Sequence, residues 1–178
     1  VLLGCSIEPE LLQREDIRAD LKNYHTIIAR ESITYEALKN MVNEQTGKNG
    51  ECQRMPQILC CPDPAFTLQK KELPLPEGFV QGNTVGINVS PMIQDNEQKA
   101  GITAQCYEEL IRYIIENTSF QIALIPHVVW ARNDDRKPIH QLYEKFKDTG
   151  RVVEIGDGTC EELKGYISRC RLFVGART

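Results

Sequence analysis

The sequence predicts an α/β protein, with parallel sheets and flanking helices, laid out as two successive units. Three observations predict it. In the second half short apolar runs alternate with amphipathic stretches in the order β-α-β-α-β-α-β, which points to parallel strands joined by right-handed crossovers. The clearest run, residues 84–91, opens as a strand on Val85, Ile87 and Val89 and empties into Asn88, Ser90 and Pro91. A charged, proline-punctuated stretch from Lys70 to Gly82 separates this half from an earlier strand–helix series. The expected organisation is residues 1–68 as one α/β unit, 69–83 as a linker and 84–178 as a second unit.

Composition bounds the function classes. A chain of 178 residues with a formal charge of −4 carries no basic excess for nucleic acid or an anionic membrane surface. No apolar run reaches the length of a membrane span or reads as a signal peptide. Seven cysteines, odd in number and without Cys-x-x-Cys, read as reduced and mostly buried thiols, so a cytoplasmic protein without a metal site is expected. The chain opens on Val1 inside a strand-like run and stops at Thr178 where a strand meets its turn, as a piece of a longer protein would.

The elements follow in order. Residues 2–7 are apolar and turn at Glu8-Pro9; 16–24 form a charged helix with Ile17 and Leu21 on one face. Residues 26–29 are a short buried strand. Ser32 is placed to N-cap the next helix, whose apolar face is Tyr35, Leu38 and Val42. A loop is expected at 47–50 and a strand at 57–61, broken by Pro62-Asp63-Pro64. In the second unit, strands are expected at 84–89, 120–125, 151–155 and 172–175. The helix at 103–117 presents Cys106, Tyr107, Leu110, Ile111, Ile114 and Ile115 as its apolar stripe. The helix at 136–149 carries Ile139, Leu142, Tyr143 and Phe146 and stops at Gly150. Thr159 and Glu162 form a capping box for the last helix.

In an open parallel sheet, ligands bind beyond the carboxyl ends of the strands. The residues there are Arg30 and Ser32 in the first unit, and Asn88, Ser90, His127, 156–158, Arg177 and Thr178 in the second. Two arginines, a histidine and amide and hydroxyl donors suit an anionic ligand such as a phosphate or carboxylate. Each also has a plain structural reading. Arg30 can pair with Glu31 or Asp63, Asn88 can close a turn, and His127 can be a satisfied loop histidine. Asp134-Asp135 could hold a divalent metal, but just before a helix they are expected to favour its positive end. On that assignment Asp135→Asn is expected to leave turnover nearly unchanged.

Five segments together resemble the polysaccharide pyruvyl transferases. They are Ile27-Ile28-Ala29-Arg30-Glu31-Ser32, Cys61-Pro62-Asp63-Pro64-Ala65-Phe66-Thr67-Leu68, Val85-Gly86-Ile87-Asn88-Val89-Ser90-Pro91, Leu124-Ile125-Pro126-His127-Val128, and Cys170-Arg171-Leu172-Phe173-Val174-Gly175-Ala176-Arg177-Thr178. No one of them decides; their order and spacing do, across nearly the whole chain. There are departures. Glu8 stands where the family usually has Gly before the proline, the family's Arg-x-His would need a histidine straight after Thr178, and its glycine-rich first turn would precede Val1.

The resemblance implies a central fragment of two Rossmann-like lobes in a GT-B-like arrangement, both incomplete. It implies transfer of the pyruvyl unit of phosphoenolpyruvate to two hydroxyls of a sugar in a polysaccharide or its precursor, with a lipid-linked acceptor among those it admits, giving a cyclic ketal. No cofactor beyond that donor substrate follows, and no metal. By the same resemblance Arg177 and His127 are the catalytic candidates. Arg30, Ser32, Asn88, Ser90 and Thr178 are the substrate-binding ones. The location implied is cytoplasmic, with the inner face of the membrane as a place of work. Two other classes stay open: a GT-B glycosyltransferase using a nucleotide-sugar, and a non-catalytic relative that binds a glycan or a protein partner.

Overall fold

The computed structural model describes residues 1–46 and 55–176, which form two compact units, Val1–Leu68 and Gln69–Thr178. The loop expected at 47–50, Cys52, Arg177 and Thr178 lie outside the described residues.

The first unit is a three-stranded parallel sheet in the order β1 (Leu2–Cys5), β2 (Thr26–Ala29), β3 (Gln57–Cys60). Helices α1 (Glu15–Leu21) and α2 (Ser32–Thr46) connect them. The core is Leu12, Leu21, Ile27, Ala29, Leu38 and Met41. α2 begins differently from expectation. Its exposed backbone donors at Ile33 and Thr34 bond the Glu31 carboxylate, at 2.7 and 3.0 Å, so Glu31 caps this helix where Ser32 was expected to. Two 3-10 turns, Pro9–Gln13 and Pro64–Thr67, each open on a proline, whose fixed φ suits a first helical position.

The second unit holds a four-stranded, all-parallel sheet of β4 (Thr84–Ile87), β5 (Gln121–Leu124), β8 (Val152–Glu154) and β9 (Leu172–Val174), in the spatial order β8-β5-β4-β9. The chain steps outward from β4 through β5 to β8 and then returns to the far side of β4, so the order reverses between β4 and β9. Both faces of the sheet are covered, which is why its central strands are almost continuously apolar. On one face Val85, Ile87, Val89, Ile122, Leu124 and Val152 pack with residues of α4 (Ile102–Asn117) and α5 (Arg136–Phe146). On the other, Ala123, Ile125 and Ile155 pack with Phe79 and with Leu163 of α6 (Cys160–Ile167). Gly86 makes that second face possible, because a Cβ there would stand 2.8 Å from the Phe173 ring and 2.9 Å from Cys170 Sγ.

The helix boundaries follow the expected chemistry. Gly150 takes φ 65° after α5 and a short 3-10 turn, and the Thr159–Glu162 capping box is formed on both sides. α4 buries Thr103, Ile111 and Ile114, while Cys106, expected on the stripe, is exposed. Cys60, Cys61 and Cys160 are exposed as well, so among the described residues the thiols are free but not mostly buried. Cys170 is the contrast: burial raises its thiol to about 11.

The stretch expected as a linker packs tightly. Residues 69–83 belong to the second unit and run as a strap over α6. Lys71 N–H donates to Glu161 O at 2.9 Å, its Nζ pairs with Glu162 at 2.7 Å, and buried Arg169 donates Nη1 to Leu73 O at 2.7 Å. A Cβ on Gly165 of α6 would lie 2.0 Å from Lys71 O. The strap is therefore tied down chiefly through its backbone, while most of its charged side chains stay exposed.

Candidate active site at the carboxyl edge of the second sheet

β4 carries its buried run three residues past the strand, through Asn88, Val89 and Ser90, before α3 (Pro91–Asp95) begins. Asn88 is fully buried, and its N–H donates to Val174 O of β9 at 2.9 Å, which ties it to the point where the strand order reverses. Such a switch point is where open α/β sheets leave a crevice for ligand. The Asn88 side chain faces the other way in bonding terms. Its Nδ2 donates to Ile125 O and to Asp135 Oδ2, both at 3.0 Å. These two acceptors fix the amide's orientation, and they leave Oδ1 buried without a partner.

Asp135 is the hub of this edge. It is fully buried, and its Oδ2 accepts from Asn88 Nδ2, from His127 N–H at 3.0 Å and from Val128 N–H at 3.1 Å. Its own N–H donates to Val128 O at 2.8 Å. One carboxylate thus joins the ends of β4 and β5 to the start of α5. Burial, and next the charge of Asp135, push the Tyr107 hydroxyl pKa up. The expected helix-end role of Asp135 is corrected here: its side chain caps no backbone donor of α5. That role falls to its neighbour. Asp134 Oδ1 accepts from Arg136 N–H at 3.0 Å, and its carboxylate grips the Arg136 guanidinium with two bonds.

Between Val128 and Asp135 the chain makes an antiparallel hairpin, β6 (Val129–Trp130) with β7 (Asn133–Asp134), turned by Ala131 and Arg132. Sequence reasoning did not find it. The tight hairpin turns that can be read from sequence need φ > 0 and so favour Asn-Gly, and no non-glycine residue described here has positive φ.

His127, half-buried, packs its ring at 5.6 Å from that of Phe173 on β9, so it lies toward the switch point although β5 delivers it. Ser90 is buried and its Oγ accepts from Met92 N–H at 3.2 Å, capping α3. Asn88 and His127 therefore meet on one edge, joined through Asp135 and β9, and Ser90 follows Asn88 two residues along the same strand end.

In the first unit Arg30 also follows the end of its strand, but it is engaged. Its Nη1 pairs with Asp63 at 2.7 Å, and the Asp63 pKa is held down first by the Ala65 N–H and then by Arg30. Ser32 is exposed at the start of α2. Among the described residues, no group of three or more His, Cys, Asp or Glu side chains is arranged to hold a metal ion, and no helix is long and apolar enough to cross a membrane.

The family model described as polysaccharide pyruvyl transferase matches residues 1–178. The chain belongs to that family. No curated protein and no solved structure matches it. The edge built on Asn88, Asp135 and His127 lies at the carboxyl ends of β4 and β5, beside the point where the strand order reverses.

Proposed function

We propose that this chain carries the donor-side machinery of a transferase that moves the pyruvyl unit of phosphoenolpyruvate onto a pair of sugar hydroxyls. The family match over the whole chain carries this reading, and the switch-point geometry of the second sheet supports it. The net chemistry balances simply. One hydroxyl oxygen adds to the central carbon of the enol while a proton goes to the methylene carbon, making a methyl group. The second hydroxyl oxygen then replaces phosphate at the same carbon, and its proton leaves with the phosphate. The reaction needs a proton donor near the methylene carbon and fixed positive charge for the carboxylate and phosphate. The proton donor proposed is the histidine that the family resemblance expects after Thr178 or, among the described residues, His127. Arg177, three residues after the end of β9 in sequence, is proposed as the bidentate anion contact because a lysine cannot reproduce its fork. Asn88 has spent its amide donors internally, so its proposed part, with Ser90, is to hold the edge in register. Roles for Arg30, Ser32 and Thr178, and a GT-B-like pairing of lobes, rest on the family resemblance.

The test is ligand protection followed by turnover in the complete protein. Phosphoenolpyruvate should raise the melting temperature where nucleotide-sugars do not, and phosphate release should require a saccharide. Protection by nucleotide-sugars alone would overturn the reading in favour of glycosyl transfer.

A further inference from the structure

The second unit exposes one feature that the donor chemistry leaves unused. Trp130 is the only tryptophan in the chain and is 76% exposed, more than any other large hydrophobic residue of that unit. Leaving an indole in water forfeits the largest apolar payload any side chain offers on burial. Its indole N–H has no hydrogen-bond partner among the described residues. The ring is nevertheless held on a firm base. Trp130 pairs with Asn133 across the β6–β7 hairpin, and the hairpin is closed at its foot by Asp135 N–H to Val128 O and by Val128 N–H to Asp135 Oδ2. That foot is the buried hub which also fixes His127, only three residues before the ring, or about 10 Å along an extended chain.

We infer that Trp130 is a stacking platform for a sugar ring of the acceptor, a step that rests on the pyruvyl-transfer reading above. The neighbourhood selects this ligand class. A pyranose presents a face of C–H groups ringed by hydroxyls, so it needs one flat apolar surface bordered by hydrogen-bonding groups. The hairpin supplies that pattern: one indole, with exposed Arg132 beside it and Asn133 opposite. Phosphoenolpyruvate, small and doubly anionic, has no saturated ring face to offer. The hairpin thus places an acceptor-binding surface beside the edge proposed for the donor, as a reaction joining the two requires.

Trp130 is the only tryptophan of this sequence, so in the complete protein the part of the emission change that Trp130→Phe abolishes reports on this ring. Titration of the complete wild-type protein with cellobiose, lactose, chitobiose and mannobiose should shift its emission to the blue with at least one of them, and phosphoenolpyruvate should leave it unchanged. In phosphate-release assays with the disaccharide that works best, Trp130→Ala should raise the acceptor KM about tenfold, with the KM for phosphoenolpyruvate unaltered, while Trp130→Phe stays within about twofold. No emission change with any of the four disaccharides overturns the inference, whatever the variants do. So does an emission shift that follows protein concentration instead of saccharide, which would make the ring a self-association contact. A saccharide-dependent shift without phosphate release upholds the platform and overturns pyruvyl transfer.

Discussion

The residue that most changes meaning between sequence and structure is Asp135. Next to a helix, a carboxylate reads as a partner for the dipole, and Asp134 fills that part. Nothing in the local pattern distinguishes the two, because what sets Asp135 apart is three donors from residues 7, 8 and 47 positions away. Non-local satisfaction of this kind leaves no periodic trace. It does set the energetics. Replacing Asp135 by Asn keeps one oxygen for these three donors but removes its charge, and sets an amide N–H₂ where the other carboxylate oxygen stood. Charge-assisted bonds run to about 1.5–3 kcal/mol each, so a loss of about 2–4 kcal/mol in unfolding free energy is expected. Asp134→Asn, which breaks a pair with a half-exposed arginine, should cost about 1 kcal/mol or less. Urea denaturation of both variants decides: equal effects would return Asp135 to the helix end. Asn88 and Ser90, by contrast, were legible as edge residues, since a strand that empties into small polar groups is a pattern in the sequence itself.

At the scale of elements, the four strands of the second sheet and their helices were readable because burial on both faces writes itself as apolar runs, and the capping box and Gly150 mark the helix ends. The strap was not. Prolines and charges at 70–78 look like a solvated linker, yet their backbone groups meet α6, whose Gly165 gives no hint in sequence of what passes over it. This makes Gly165→Ala an instructive substitution. Inside a helix, alanine is favoured over glycine by up to about 1 kcal/mol. Here the added methyl would meet the backbone oxygen of Lys71, which cannot swing aside as a side chain would. Displacing the strap strains its bonds to Glu161 and Arg169, and overpacking of this kind costs about 1–3 kcal/mol. The expected outcome is a lower melting temperature and faster proteolysis within 69–83. A variant more stable than wild type would mean that the strap yields freely.

For the whole molecule, the two units differ in how much they bury, and that difference should govern where the chain opens first. The first unit centres on six buried residues around a sheet whose third strand is largely exposed, and units of this size are marginal on their own. The second covers both faces of its sheet, and every residue of β4 is buried. If the chain unfolded as one cooperative body, the slowest amides of both units would exchange through the same global opening and report one free energy. We expect them to differ. The β2 amides of Ile27, Ile28 and Ala29 should exchange at least about tenfold faster than those of Val85–Ile87 and Ile122–Leu124. Hydrogen exchange followed by mass spectrometry on the complete protein measures this directly. Addition of phosphoenolpyruvate sharpens it: a donor site on the β4–β9 edge should slow exchange at residues 88–90 and 127–128, because a ligand that binds only the closed state suppresses opening there. Equal limiting rates in β2 and β4 would show a single cooperative body, and slowing in the first unit with none at 88–90 would move the donor site off the edge on which Asn88, Asp135 and His127 converge.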